Sequence, residues 1–77
     1  MAKFTVLGMG GFGLALAVML DNNGHSVNVW SAFESEIEDI KRDGENKKKL
    51  PGVKIKDSIT LTSDISTVSD SDVVIFG

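Results

Sequence analysis

Three glycines at fixed spacing, Gly8, Gly10 and Gly13, separate a short apolar run ending at Leu7 from an Ala/Leu-rich stretch beginning at Leu14. Nothing else in the chain restricts the fold as strongly. A residue without a β-carbon can turn sharply out of a strand, bring backbone close to a bound group, and let a helix pack tightly on the strand it follows. The three positions match those three demands. A helix starting behind such a loop aims its unpaired N–H groups, and the positive end of its dipole, at whatever anion sits over the loop. A glycine loop alone is a weak signal. With a strand before it and a helix after it, the loop reads as a pyrophosphate-binding turn.

Composition removes several other classes. At 77 residues the chain is one small domain at most, and a domain of that size buries only about 60% of its unfolded surface. It contains no cysteine and a single histidine, His25, which excludes disulfide staples and thiolate metal sites and rules out most zinc constellations. A net charge of −3 argues against a nucleic-acid partner, which calls for a basic face. Lys3 followed by the uncharged run Phe4–Leu20 resembles a secretory signal. Four glycines interrupt that run, however, and it falls short of the ~20 apolar residues of a membrane span. No membrane association is expected, and the cytoplasm is the default compartment.

Strands and helices alternate along the chain. Lys3–Leu7 reads as a buried strand and residues 11–22 as a helix, with Leu14, Leu16, Val18 and Leu20 supplying its apolar surface. Asn23-Gly24 stops that helix, with Gly24 suited to the left-handed position after it. Ser26–Trp30 is the second strand. A second helix over residues 34–43 carries Phe33, Ile37 and Ile40 on one face, glutamates early and Lys41 and Arg42 late, as its dipole favours; Gly44 ends it. Residues 45–58 are irregular, with a basic run at Lys47, Lys48 and Lys49, a turn at Leu50-Pro51-Gly52 and a short extended piece at 53–55. Residues 59–62 form a β-branched third strand. Ser63 or Asp64 caps a short helix reaching Ser69, and residues 72–76 form a fourth strand apolar enough for a sheet centre.

This alternation implies an α/β fold, a Rossmann-like parallel sheet with helices on both faces. The expected strand order is 3-2-1-4, with the ligand beyond the carboxyl ends of strands one and four. A complete fold of that type runs on past Gly77, so residues 1–77 read as a partial N-terminal NAD(P)-binding domain of a larger enzyme.

Over its whole length the chain resembles the N-terminus of the bacterial NAD(P)-dependent glycerol-3-phosphate dehydrogenases. The resemblance rests on Gly8-x-Gly10-x-x-Gly13-x-Ala15-x-Ala17, on Asn23-Gly24-His25 leading to a strand that ends at Trp30, and on Asn46-x-x-x-Leu50-Pro51-Gly52. The Thr62-Ser63-Asp64 and Ser71-Asp72-Val73-Val74 steps extend it. The Leu-Pro-Gly block is the discriminating part, since other Rossmann reductases share only the glycine loop. The resemblance implies reversible hydride transfer between a nicotinamide cofactor, NAD or NADP, and dihydroxyacetone phosphate, giving sn-glycerol 3-phosphate for lipid synthesis. It also implies cofactor contacts at Gly11, Phe12 and Lys49. The family's catalytic lysines and substrate-phosphate ligands lie past residue 77, so no catalytic residue is assigned and the 77 residues alone are expected to be inactive.

The chain departs from the family in three places. Gly11 stands where serine is usual, Lys49 where an aromatic is usual, and Ala32-Phe33 where a basic pair usually holds the 2′-phosphate of NADP. The adenosine ribose is expected beside Ser31-Ala32-Phe33, yet that segment offers neither the acid of an NAD site nor the arginine of an NADP site. Ser31 is its one polar side chain. Weak discrimination with a lean to NAD follows, and a preference for NADPH of about a hundredfold, or ~2.7 kcal/mol, would overturn that lean.

Other residues read more plainly. Phe33 either lines the adenosine pocket or packs under the second helix, and Phe12 either touches the cofactor or covers the sheet edge. Trp30 reads as core, His25 as solvated or capping, Lys47–Lys49 as a solvated loop, and the acids of the second helix as a solvated face. Two other classes stay open, a related reductase of the opine or ketopantoate type and a nucleotide-sensing module without catalysis. If the sheet is cut at strand four, the exposed edge invites self-association.

Overall fold

The computed structural model describes residues 2–76 and places them in one four-stranded parallel sheet. The elements are β1 (Lys3–Leu7), α1 (Gly11–Asn22), β2 (Ser26–Trp30), α2 (Glu34–Asp43), β3 (Ile59–Thr62), α3 (Ser66–Ser69) and β4 (Val73–Phe76). The strand order is β3-β2-β1-β4, as the alternation predicts. β4 starts one residue later than its sequence suggests, because Asp72 joins the ladder differently. Its backbone N–H donates to the Lys3 carbonyl (2.9 Å), and its carboxylate accepts from the Lys3 N–H (2.9 Å).

The register explains which residues make the core. Val6 lies opposite Val29 and Ile75, and Val29 lies opposite Leu61, so one face carries an apolar row across all four strands. α1 lies on that face. Gly13 and Ala17, one turn apart, are buried and let the helix approach the strands closely, while Leu14 beside them is fully buried. Ile37 and Ile40 of α2 and Ile55 of the connecting segment complete the core. Phe33 does not join them; at 66% exposed it sits at the N-cap of α2, so only two of the three expected residues face inward. The segment over residues 53–55 is not a strand. Instead Ile55 is buried and its N–H donates to the Gly44 carbonyl (2.8 Å).

The opposite face is more polar. Thr5 is fully buried there and its hydroxyl meets that of Ser71, which donates to the Thr67 carbonyl of α3 (2.8 Å). That chain of contacts holds the α3 turn over the second face. Trp30 is half-buried with its indole N–H shielded and, among the described residues, without an acceptor. β4 occupies a sheet edge rather than the centre, leaving Val73 and Phe76 exposed. The carboxyl ends of α1 and α2 follow their sequence signals, whereas α3 starts behind Ile65 and not behind Ser63 or Asp64. Gly24 and Gly44 take positive φ (86° and 72°), the conformation that only glycine adopts without strain.

Candidate dinucleotide-binding site

The glycine loop is built from backbone. Gly8 has φ 104°, a conformation closed to L side chains, and its N–H donates to the Trp30 carbonyl at 2.7 Å. That bond places the end of β2 directly beside the loop. Met9 is buried and anchors the turn in the core. Gly10 is the N-cap of α1, and its carbonyl accepts the first helical bond, from the Leu14 N–H (3.0 Å). The N–H groups of Gly11, Phe12 and Gly13 therefore precede the helical ladder. No side chain caps them, and the first turn holds no acidic residue. A β-carbon at Gly10 would meet nothing within 4 Å, so the space in front of the turn is open. The turn therefore presents unpaired backbone donors to open space. Phe12, 74% exposed, borders it rather than covering the sheet.

Gly11 is held to glycine by a different neighbour. A β-carbon there would collide with the Lys49 carbonyl. The 45–52 segment folds back over the glycine loop, and Asn46 fastens it. Its amide Nδ2 donates to the Met9 carbonyl at 2.9 Å, while its Oδ1 accepts from the N–H groups of Lys48 and Lys49, each at 3.2 Å. Glu45 Oε2 accepts from the Gly52 N–H (2.8 Å), and Gly52 has φ 81°. Lys49 is thus at the site, but through its backbone; its side chain, like those of Lys47 and Lys48, is exposed. The glycine at 11 thus answers to the backbone of residue 49, and the contact leaves the choice of a lysine side chain there unexplained.

At the end of β2, Ala32 and Phe33 are exposed and Ser31 is 3% exposed. The Ser31 hydroxyl accepts from the Phe33 N–H (3.1 Å) and donates to Glu36 Oε1 (2.7 Å). Ser31 is therefore not the one polar side chain at this position, because Glu36 reaches back to it from the first turn of α2. The acids of that helix are not all solvent-facing ornaments of the dipole. Sequence reasoning missed Glu36 and gave Asn46 no role. Neither had a local signal: Phe33, three residues before Glu36, has no side-chain acceptor for a capping box, and the Ser31 contact spans five residues.

Other features carry no chemistry. His25 packs edge-on against Phe4, with ring centres 5.0 Å apart, and its Nδ1 accepts from the Ala2 N–H (3.4 Å). A groove lined by Ile40, Gly44, Ile55 and Ile59 opens at the other end of β3. Among the described residues no cluster could hold a metal ion, and no helix is long and apolar enough to cross a membrane.

Residues 3–77 match the model of the NAD-dependent glycerol-3-phosphate dehydrogenase N-terminus. The chain belongs to this family. It is 49% identical over 76 residues to glycerol-3-phosphate dehydrogenase [NAD(P)+] of Agathobacter rectalis, covering 97% of this chain and 23% of that one. The Bacillus subtilis protein of the same name is 46% identical over 76 residues, covering 97% and 22%. A crystal structure of glycerol-3-phosphate dehydrogenase from Coxiella burnetii superposes with a TM-score of 0.84 at 22% identity, over 97% of this chain and 23% of that one. At that identity the likeness bears on the fold, which is Rossmann-type. The chain spans about a quarter of the length of these relatives.

Proposed function

We propose that this chain is the cofactor-binding part of an enzyme moving hydride between NAD(P)H and dihydroxyacetone phosphate. The observation that carries the reading is the uncapped start of α1 behind Gly8-x-Gly10-x-x-Gly13, in a chain of this family. When bound, the nicotinamide cofactor would supply the hydride. The residues here would bind and orient it. The N–H groups of Gly11, Phe12 and Gly13 would face the pyrophosphate, where backbone donors and the helix dipole both favour negative charge. Phe12 and the exposed Ala32-Phe33 would offer apolar surface to its rings, and the turn carrying Lys49 would border it. Proton transfer and recognition of the phosphorylated substrate are assigned to residues outside this chain.

Titration of the intact protein with NADH, followed by nicotinamide fluorescence, tests the binding step; saturable binding is expected, and its absence would overturn the reading. Oxidation of NADH on adding dihydroxyacetone phosphate tests the reaction, while the 77-residue chain alone is expected to give none. That isolated chain is also expected to self-associate through β4, whose outer edge is unpaired and whose Phe76 is 81% exposed. A clean monomer in sedimentation would count against that.

A further inference from the structure

The bond from Gly8 N–H to the Trp30 carbonyl makes the residue after Trp30 a neighbour of the glycine loop. In a dinucleotide fold that is where the adenosine ribose lies. The strand end itself supplies only Ser31, whose hydroxyl is buried and already engaged. It has one proton to give, and Glu36 Oε1 at 2.7 Å takes it. The bond fixes a carboxylate at the strand end from five residues downstream. Glu36 is itself exposed, and an ionised carboxylate has about four acceptor sites, of which Ser31 fills one.

We propose that Glu36 selects NAD over NADP, its carboxylate accepting from the adenosine ribose hydroxyls and opposing a 2′-phosphate. The proposal rests on the dinucleotide reading above. A hydroxyl can donate to Glu36; a phosphate monoester cannot, and it brings about −1.5 to −2 charges against it. The neighbouring charges do not reverse this. The hollow between α2 and the 45–49 turn is lined by Glu36, Asp39 and Glu45 as well as Lys47, Lys48 and Lys49, so acids and bases are equal in number. Lys47 lies 3.9 Å from Asp43, Asp39 faces Arg42 at 3.3 Å, and Glu45 holds the Gly52 N–H. Of the three acids, Glu36 is the one tied to the strand end.

A purely structural role at the helix start is separable, because Glu36→Gln keeps the acceptor for Ser31 and removes the charge. The intact protein and this variant are titrated with NADH and with NADPH. The unaltered protein is expected to bind NADH at least tenfold more tightly, and Glu36→Gln to narrow that ratio at least fivefold, chiefly by tightening NADPH. Glu38→Gln, the same charge change two positions beyond the Ser31 contact, is expected to leave the ratio within twofold. A ratio unmoved by Glu36→Gln, moved equally by Glu38→Gln, or favouring NADPH from the start overturns the proposal while NADH binding upholds the dinucleotide reading. Binding of neither nucleotide to the unaltered protein overturns both.

Discussion

Three strands in this chain hand over to helices, and the first handover differs from the other two. At the start of α2, the Ser31 hydroxyl accepts from the N–H of Phe33, the residue just before the helix, and two glutamates, Glu34 and Glu36, lie in the first turn. At the start of α3, Thr62 Oγ1 accepts from the Asp64 N–H, and Asp64 Oδ1 accepts from the Ser66 N–H, each at 3.0 Å. The start of α1 has a glycine N-cap, no side-chain cap and no acid. Capping side chains stabilise a helix by roughly 1 kcal/mol, so leaving them out sacrifices stability. What the first turn gains is a set of donors still free for an anion. The second and third turns show what this chain does where the backbone donors at a helix start are not kept open.

The sharpest way to break that contrast is to make the first turn resemble the others. Gly10→Asp would place an acceptor at the N-cap of α1. The backbone there, φ −71° and ψ 166°, suits any residue, and a β-carbon meets nothing within 4 Å. Thermal stability should hold or rise, by a few tenths to about 1 kcal/mol from cap and dipole. Dinucleotide affinity should fall on the order of a hundredfold, about 2.7 kcal/mol, because the carboxylate takes the donors and repels the pyrophosphate. Stability and binding moving in opposite directions is the signature. If NADH binds Gly10→Asp unchanged, the donors of α1 do not hold the pyrophosphate.

A second set of changes tests whether the 45–52 segment is part of the first turn. Gly11→Ser places a β-carbon against the Lys49 carbonyl, which is backbone and cannot swing aside, so the segment must lift. A cost of about 1–3 kcal/mol is expected, as for overpacking elsewhere. Asn46→Ala removes the bond to the Met9 carbonyl and the acceptor shared by Lys48 and Lys49, with an expected loss of about 1–2 kcal/mol. Both act on the same seam, so denaturant melts of the double variant should show less than the sum of the two losses. Full additivity would mean that the seam is not one unit.

The same contrast sets how much the sequence could show. The first turn is made of glycines and backbone, whose spacing is written locally, and its position, its helix and the 3-2-1-4 order follow from the pattern. Gly24 and Gly44 were legible for the same reason. The parts that escaped depend on side chains meeting across the fold. Asn46 reaches Met9 over 37 residues, and Lys49 reaches Gly11 over 38 with its carbonyl, a group every residue has and no pattern marks. Phe33 sits in phase with Ile37 and Ile40, yet it is the N-cap, where the chain has left the helical path, so the periodicity does not reach it. Glu36 was visible as a charge; its bond to Ser31 depends on a rotamer.

The smallest expected effect lies at the third turn and separates charged caps from the uncharged first turn. Hydrogen bonds from the Ser66 hydroxyl and then the Ser66 N–H hold the Asp64 carboxyl below its ordinary pKa. A carboxylate whose folded pKa is depressed stabilises the fold above its unfolded pKa, here near 3.8. That stabilisation is lost as the pH falls through the lower folded value. Asp64→Ala should therefore melt below the unaltered chain at pH 7, with the gap closing as the pH drops beneath about 4. The site is exposed, so solvent screening keeps the gap small. Melting curves from pH 7 to pH 2.5 measure it. A gap that stays constant to the acid end would show that Asp64 acts through its shape and not through its charge.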